Sequence, residues 1–166
     1  WDAVLDAGAT PFGLDAIELL RVEAGLLIQY EDYTPGETDP YELNLNPYIE
    51  FEGHDFVGRE AAKKRAADRP RRFATLRLDG DAPESGARVN QGATDVGDVR
   101  SSFSTPRFGT IALAVLDAEA ARESEHVEVE GARATVGRVP IDDPGKLRPR
   151  SDPRSPVTID SPGQTA

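Results

Sequence analysis

Hydrophobic and polar positions follow two rhythms in this chain, and the rhythm changes near Pro70. Before it the period is helical. Trp1 to Ala7 reads as the end of a helix, followed by a turn over Gly8 to Gly13. Leu14, Ile17, Leu20 and Ala24 recur at helical spacing, and Gly25 is placed to end that helix. Asp15 and Glu18 resemble a capping box, although Ser or Thr is the usual cap. Leu26 to Tyr30 is a short apolar run that predicts a buried strand. Asp39-Pro40 predicts a capped helical turn, with Pro at its first position. Tyr48 to Glu52 alternates like a strand, and Gly53-His54 turns the chain. Asp55 then starts a helix that runs to about Ala67.

After Pro70 the period is two. Ala74, Leu76 and Leu78 alternate with Thr75, Arg77 and Asp79, which predicts a half-buried strand. Asn90-Gln91-Gly92 signals a turn. Val96 and Val99 flank Gly97, which suggests a strand carrying a bulge. Thr110 to Leu116 is almost wholly apolar and predicts a strand buried on both faces. The stretches 126–130 and 133–139 alternate around Gly131, a hairpin signal. Five or six short strands in so few residues predict a small barrel or sandwich. The expected fold class is therefore α+β, with a helical part over 1–67 and a β part over 68–141. From Asp142 to Ala166 the chain has five prolines and no apolar periodicity. That predicts an extended or disordered tail over 142–166.

Composition narrows the function. Thirty acidic residues stand against nineteen basic ones, for a net charge of −11. Such a balance argues against nucleic-acid binding, which needs a basic surface. No apolar run approaches the ~20 residues of a membrane span. There is no Cys, which removes disulfides, thiol catalysis and Cys-type zinc sites. The absence of Met and the opening Trp1 predict a segment of a longer protein whose N-terminal part is missing. Sixteen Arg against three Lys, on an acidic chain, is a halophilic style of composition; Arg-rich codon bias in an ordinary acidic protein is the alternative. Cytoplasmic location is the default expectation.

Candidate chemistry is sparse. Residues 53–60 have the glycine spacing of a phosphate loop, but Arg59 and Glu60 stand where Lys and a hydroxyl are needed. A helix start explains that stretch better. His54 and His126 are far apart and outside any ligand-spaced cluster, so no metal site is expected. They read as a turn residue and a strand-end residue. Ser101 and Ser102 lack a glycine elbow and a neighbouring base, so they read as strand or turn hydroxyls. Residues 63–72 hold six bases and one acid in an otherwise acidic chain. Lys63, Lys64 and Arg65 open that stretch. It is either a solvated helix face or a docking patch for an acidic partner or a polyanionic cofactor tail. Tyr30, Tyr33, Tyr41, Tyr48, Phe51 and Phe56 crowd one window, which suits either a flat ring ligand or a core between the two parts.

The order of motifs resembles a known family. Gly13 to Gly25 resembles the Gly-Leu-x-Ala-Arg-Asp-x-Leu-Arg-Leu-Glu-Ala-Gly helix of the T-protein (aminomethyltransferase) family of the glycine cleavage system. Pro40-Tyr41-Glu42 is similar to its Thr-Pro-x-Glu, and Asp55 to Ala61 to its Asp-Phe-Ile-Gly-Arg-Glu-Ala. Val96 to Val99, Ser104 to Pro106 and Ile111 to Ala114 resemble signatures of its C-terminal barrel. The resemblance covers roughly 1–141. It implies the end of a folate-binding α+β domain followed by a small antiparallel β-barrel. It also implies transfer of one carbon from the lipoyl arm of a carrier protein to tetrahydrofolate, with release of ammonia. Folate-dependent O- or S-demethylases of the same fold, and a non-enzymatic folate-binding accessory module, are the alternatives.

The family's catalytic aspartate is expected upstream of this segment. The arginine of its Ala-Arg-Asp falls on Ile17, its Asp on Glu18, and its Leu-Gly-Trp tryptophan near Pro47 and Tyr48. Its Thr-Ser-Gly becomes Arg100-Ser101-Ser102. An apolar side chain cannot anchor a carboxylate, so Arg21 or another base must substitute, or the ligand differs. The candidate cofactor-binding set is Ile17, Glu18, Arg21, Tyr30 and Tyr48. Lys63, Lys64 and Arg65 are the candidate docking set. Expected partners are a lipoyl carrier and the remaining N-terminal part of the protein.

Overall fold

Ile111 to Leu116 cannot face water on either side, and the fold answers by covering both faces of that strand. The computed structural model describes residues 1–53 and 55–143. Six strands form a closed antiparallel barrel: β1 (Arg71–Leu78), β2 (Arg88–Gln91), β3 (Thr94–Thr105), β4 (Gly109–Asp117), β5 (His126–Val129) and β6 (Ala132–Gly137). Their order around the barrel is β1-β4-β3-β2-β5-β6, and β6 closes onto β1. Closure leaves no open sheet edge.

Inside the barrel, Leu76, Val89, Val99, Ala114, Leu116 and Val136 pack together. The odd-numbered side chains of β4 point the other way. Ile111, Leu113 and Val115 form a second cluster with Phe73 of β1. Val22 of the helix α2 (Leu14–Glu23) completes that cluster from outside. The segment before the barrel is thus seated on the outer face of β1 and β4. Two shorter helices accompany it, α1 (Asp2–Asp6) and α3 (Arg59–Ala67).

Most of the β part matches the sequence pattern. The strand at 74–78, the turn at Gly92, the doubly buried β4 and the β5–β6 hairpin are all present. Glu130 and Gly131 both have positive φ in that hairpin turn, the pairing its twist requires. The predicted bulge is found at Val96, which is skipped between Asp95 and Gly97 in the pairing with β2. A Cβ on Gly97 would lie 2.1 Å from the Val115 carbonyl oxygen, so only glycine fits this crossing.

The helical part needs several corrections. Residues 26–30 form no strand; only a single bridge links Gln29 to Tyr33. The chain instead wraps round Asp32, whose carboxylate accepts the Ile28 N–H at 2.7 Å, while Tyr30 sits at φ 70. Residues 48–52 form no strand either. Asn46 to Tyr48 is a 3-10 turn with Pro47 at its start, and Pro47 has no N–H to give a ladder. Asp15 caps nothing: Gly13 holds the N-cap position and Asp15 lies inside the first turn. α3 starts four residues later than Asp55, after Gly58 at φ 89. The turn at Asp39-Pro40 is as expected, with the Asp39 carboxylate accepting the N–H groups of Tyr41 and Glu42. His54 and the tail beyond Asp143 lie outside the described residues.

The structure also shows which residues of α2 are buried. The apolar stripe that marked the helix is in the open: Leu14 is 79% exposed, Ile17 44% and Leu20 55%. The buried face is Arg21, Val22 and Glu23.

Candidate functional site

A buried guanidinium organises the joint between α2 and the barrel. Arg21 lies in the last turn of α2 and is only 6% exposed. Its Nη1 donates to Asp32 Oδ2 at 2.6 Å and its Nε to Glu18 Oε2 at 2.9 Å. Its Nη2 donates to Glu31 Oε2 at 2.9 Å and to Ser101 Oγ at 2.8 Å. Ser101 Oγ in turn donates to Asp32 Oδ1 at 2.7 Å.

Local backbone geometry brings these groups together. Gly25, at φ 63, ends the helix where a Cβ would meet Val139 Cγ1 at 2.5 Å. The loop then turns back, and Asp32 N donates to the Ile28 carbonyl at 2.9 Å, which fixes Asp32 under Arg21. From the barrel side, a second irregularity in β3 does the aiming. Val99 pairs with Ala114, but Ser101 pairs with Leu113, so Arg100 is an extra residue. Without it, residues 99 and 101 would share the inner face. With it, Ser101 faces outward onto Arg21 and Asp32.

This arrangement decides what Arg21 can do. Four of the five N–H donors of a guanidinium are committed. One cation faces three carboxylates, a formal charge of −2. The cluster holds the joint; it does not offer a free cation to a ligand carboxylate. Ser101 Oγ is likewise committed, accepting from Arg21 and donating to Asp32 within the joint.

Two openings flank the joint. A cleft of about 430 Å³ is lined by Glu18, Arg21, Tyr30 and Glu31 on one side and by Arg100, Ser101, Ser102 and Phe103 on the other. Three of the five candidate cofactor residues therefore meet: Glu18, Arg21 and Tyr30. A groove of about 530 Å³ runs between the 24–48 region and the barrel, lined by Leu26, Leu27, Tyr33, Leu43, Tyr48 and Phe73. Its walls are mainly apolar and aromatic. Tyr48 lies here, apart from the other candidates, and Ile17 lines neither opening. The aromatic window is thus divided between the two. Tyr41 is buried elsewhere, and Phe51 stacks on Phe56 with ring centres 6.3 Å apart.

A mixed seam of charge lies beside β1. Arg71 and Arg100 both pair with Asp98, at 2.9 and 2.8 Å. Burial pushes the Glu42 carboxyl above its usual range, with the Asp39 charge adding to this and Arg71 and Arg100 opposing it. Burial also pushes Asp39 up, but hydrogen bonds from Arg65, Glu42 N and Tyr41 N outweigh it and leave the carboxyl below its usual range.

The basic stretch is partly neutralised. Lys63 pairs with Glu60 at 2.9 Å, and Arg65 Nε donates to Asp39 at 2.7 Å. Among the described residues, Lys64 on the same helix has no ion-pair partner. Among the described residues no group of three His, Cys, Asp or Glu is placed to hold a metal. His126 stands at the start of β5, its Nδ1 3.3 Å from Thr135 Oγ1. No helix among the described residues is long and apolar enough to cross a membrane.

The residues that complete the joint were missed from sequence. Asp32 and Ser101 are 69 positions apart, and Ser101 is turned outward by a bulge that no local pattern announces.

Comparison with known proteins agrees with this architecture. Residues 71–142 match the glycine cleavage T-protein C-terminal barrel domain. An aminomethyltransferase of Thermosynechococcus vestitus is 35% identical over 155 residues, covering 91% of this chain and 42% of that protein. A trimethylamine-oxide aldolase of Ruegeria pomeroyi is 32% identical over 162 residues, covering 91% of this chain and 20% of that protein. The chain thus spans between a fifth and about two-fifths of these relatives. The crystal structure of the glycine cleavage system aminomethyltransferase T from Bartonella henselae superposes with a TM-score of 0.75 at 23% identity. It covers 83% of this chain and 41% of that one, and it speaks for the fold alone.

Proposed function

Because this chain belongs to the glycine cleavage T-protein (aminomethyltransferase) family, corresponding to its C-terminal part, we propose that it forms one wall of a tetrahydrofolate-dependent one-carbon transferase. The observation that carries this reading is the groove of about 530 Å³ beside the barrel, whose apolar and aromatic walls suit a flat ring. Tyr33 and Tyr48 would lie against the ring half of a folate. The cleft with Glu18, Arg21 and Tyr30 would lie next to it.

The anionic tail of folate does not fit Arg21. Its donors are engaged, and the net negative charge of its cluster opposes a carboxylate. Arg21 and Glu18 then act as positioning residues that hold the loop carrying Tyr30. Bound tetrahydrofolate would supply the acceptor for the one-carbon unit. This chain's own residues would hold the ring and exclude water from it.

In this reading residues 1–67 close a larger folate-binding domain, 68–141 are the barrel added to it, and 142–166 are the tail. The exposed stripe of Leu14, Ile17 and Leu20 supports that division. A row of large apolar side chains in the open marks an interface, in this reading with an N-terminal part of the same protein. The catalytic residue would come from that part. A lipoyl carrier would dock on α3 through Lys63, Lys64 and Arg65, as the positive surplus there favours an acidic partner.

The test is calorimetry of the full-length protein, meaning this chain joined to that N-terminal part, with tetrahydrofolate. Saturable binding weakened about tenfold by Tyr48→Ala is expected, about 1.4 kcal/mol. No heat and no thermal shift at saturating folate would contradict the reading. Ammonia release from aminomethyl-loaded carrier then identifies the aminomethyl donor. The relative named trimethylamine-oxide aldolase supports a second reading, in which this region is a folate-binding module of a larger enzyme with another one-carbon donor. A protein that binds folate and releases no ammonia from loaded carrier would favour it.

A further inference from the structure

The excess of negative charge is confined to one segment of the chain. Residues 1–53 carry twelve acidic side chains and a single basic one, Arg21, whereas residues 54–166 carry eighteen of each. An acidic surface shaped only by salt would extend over the barrel as well. Among the described residues, ten of the twelve exposed large hydrophobics lie in the same segment. Acidic and open apolar surface therefore coincide.

The two meet on α2. Glu18 lies one helical turn on from Leu14, and Arg21 one turn on from Ile17, so the open row runs up to the mouth of the cleft of about 430 Å³. Arg21 engages one oxygen of Glu18 and one of Glu31; among the described residues no donor reaches the other oxygen of either carboxylate. With Asp32 included, the joint is two charges negative. Arg100, on the opposite wall, does not offset this. It shares Asp98 with Arg71 and has Glu42 within electrostatic reach, two cations against two acids. Tyr30, 76% exposed, adds an aromatic face to the cleft. A surface laid over Leu14 and Ile17 takes Glu18 and Glu31 out of water with them, and surplus charge removed from water needs a counter-charge. A second copy docking through the same face would bring its own surplus against this one, and an anionic lipid surface would do the same.

We propose that the N-terminal part of the protein, where it covers the Leu14, Ile17 and Leu20 row, inserts one arginine side chain into this cleft. Its guanidinium donates to the second oxygens of Glu18 and Glu31 and lies against the Tyr30 ring. The proposal rests on the reading that this part covers α2, and it names the charged contact such a cover must bring. A planar fork matches two carboxylates beside a ring better than an ammonium does, and the chain itself uses sixteen Arg to three Lys.

The probe for the chain by itself is N-acetylarginine amide, with N-acetylcitrulline amide, of the same shape but uncharged, as its control. Each is titrated into the 166-residue chain and read by the amide chemical shifts of Tyr30, Glu31 and Ser102, which line the cleft. Saturable shifts are expected at millimolar arginine, with citrulline weaker by about fivefold. Glu31→Gln should shrink that preference to about twofold, and Glu31→Asp should keep most of it. Glu31 is half exposed, and Arg21 retains Asp32 and Glu18 in the variant, so the chain stays folded; its thermal midpoint checks this. In the full-length protein without folate, Glu31→Gln should lower the thermal midpoint by about 4 °C, against less than ~1 °C in the chain alone. Equal binding of arginine and citrulline, no saturable shift with either, or a midpoint change that is the same in both proteins overturns the arginine. If Ile17→Arg still destabilises only the full-length protein, the cover on α2 survives without it. If neither variant distinguishes the two proteins, the cover falls as well. A dimer of the chain that Ile17→Arg dissolves overturns the proposal in favour of a second copy. None of these readouts involves folate, so the groove stands or falls separately.

Discussion

Among the described residues, eighteen of the twenty buried hydrophobic ones lie between Phe73 and Val136, whereas all twelve exposed large hydrophobics lie between Trp1 and Val57. The barrel and the segment before it therefore use apolar residues for different ends. In the barrel the inner apolar row finds its partner inside the same 70 residues through closure, and the outer row of β1 and β4 is covered from the preceding segment. The preceding segment contributes Val22, with Leu27 and Leu43, to the barrel's outer face and leaves the Leu14, Ile17 and Leu20 row open. What holds it is mostly ionic, the Arg21–Asp32–Ser101 joint. A region that completes its own core is stable by itself, and a region that does not is built to be covered.

Breaking the joint should have the largest effect. Arg21→Met leaves Asp32 buried without its cation, and is expected to cost about 3–5 kcal/mol. Urea unfolding measures the cost. Hydrogen exchange should show residues 14–32 losing protection while β4 keeps its own. Disturbing the barrel comes next. Gly97→Ala drives a Cβ against the Val115 carbonyl and is expected to cost about 3 kcal/mol, with both regions unfolding together.

The charged seam between the regions gives a smaller, pH-dependent effect of two signs. Asp39 is depressed, so its contribution is present above the unfolded value of 3.8 and fades as pH falls through the folded value. Asp39→Asn should therefore destabilise at pH 7, and the difference should close in acid. Glu42 is raised, so its contribution is present below 4.5 and is lost as pH rises through the folded value. Glu42→Gln should stabilise at pH 7, and that gain should vanish in acid. Melting curves across pH separate the two. Smallest of all, Ile17→Arg should change the stability of this chain by less than ~0.5 kcal/mol, because its side chain packs on little here. The same change in the full-length protein should cost several times more.

The same contrast explains what could be read in the sequence. Strand alternation, the glycine at 97 and the unbroken apolar run of β4 were legible because each reports a partner within the barrel. Leu14, Ile17 and Leu20 were legible as a helix but not as an exposed face, since periodicity gives a stripe and not its partner. The strands expected at 26–30 and 48–52 failed for local reasons: the side chain of Asp32 captures the Ile28 N–H, and Pro47 starts a 3-10 turn. Of the candidate site, Glu18, Arg21 and Tyr30 were brought together as a group, while Tyr48 fell in the neighbouring groove and Ile17 outside both. Arg21 stood out as a cation near the family's arginine position. Glu18 stood beside it in the candidate set, but Glu31, Asp32 and Ser101 did not, because they reach it through a loop reversal and a bulge.

Residue-resolved hydrogen exchange on the full-length protein, with and without tetrahydrofolate, tests the account most directly. Folate should increase protection in residues 26–48 along the groove and leave β3 and β4 unchanged, with the 14–20 stripe already protected before folate is added. Exchange in 26–48 that is indifferent to saturating folate, or a stripe as open in the full-length protein as in this chain, would contradict it.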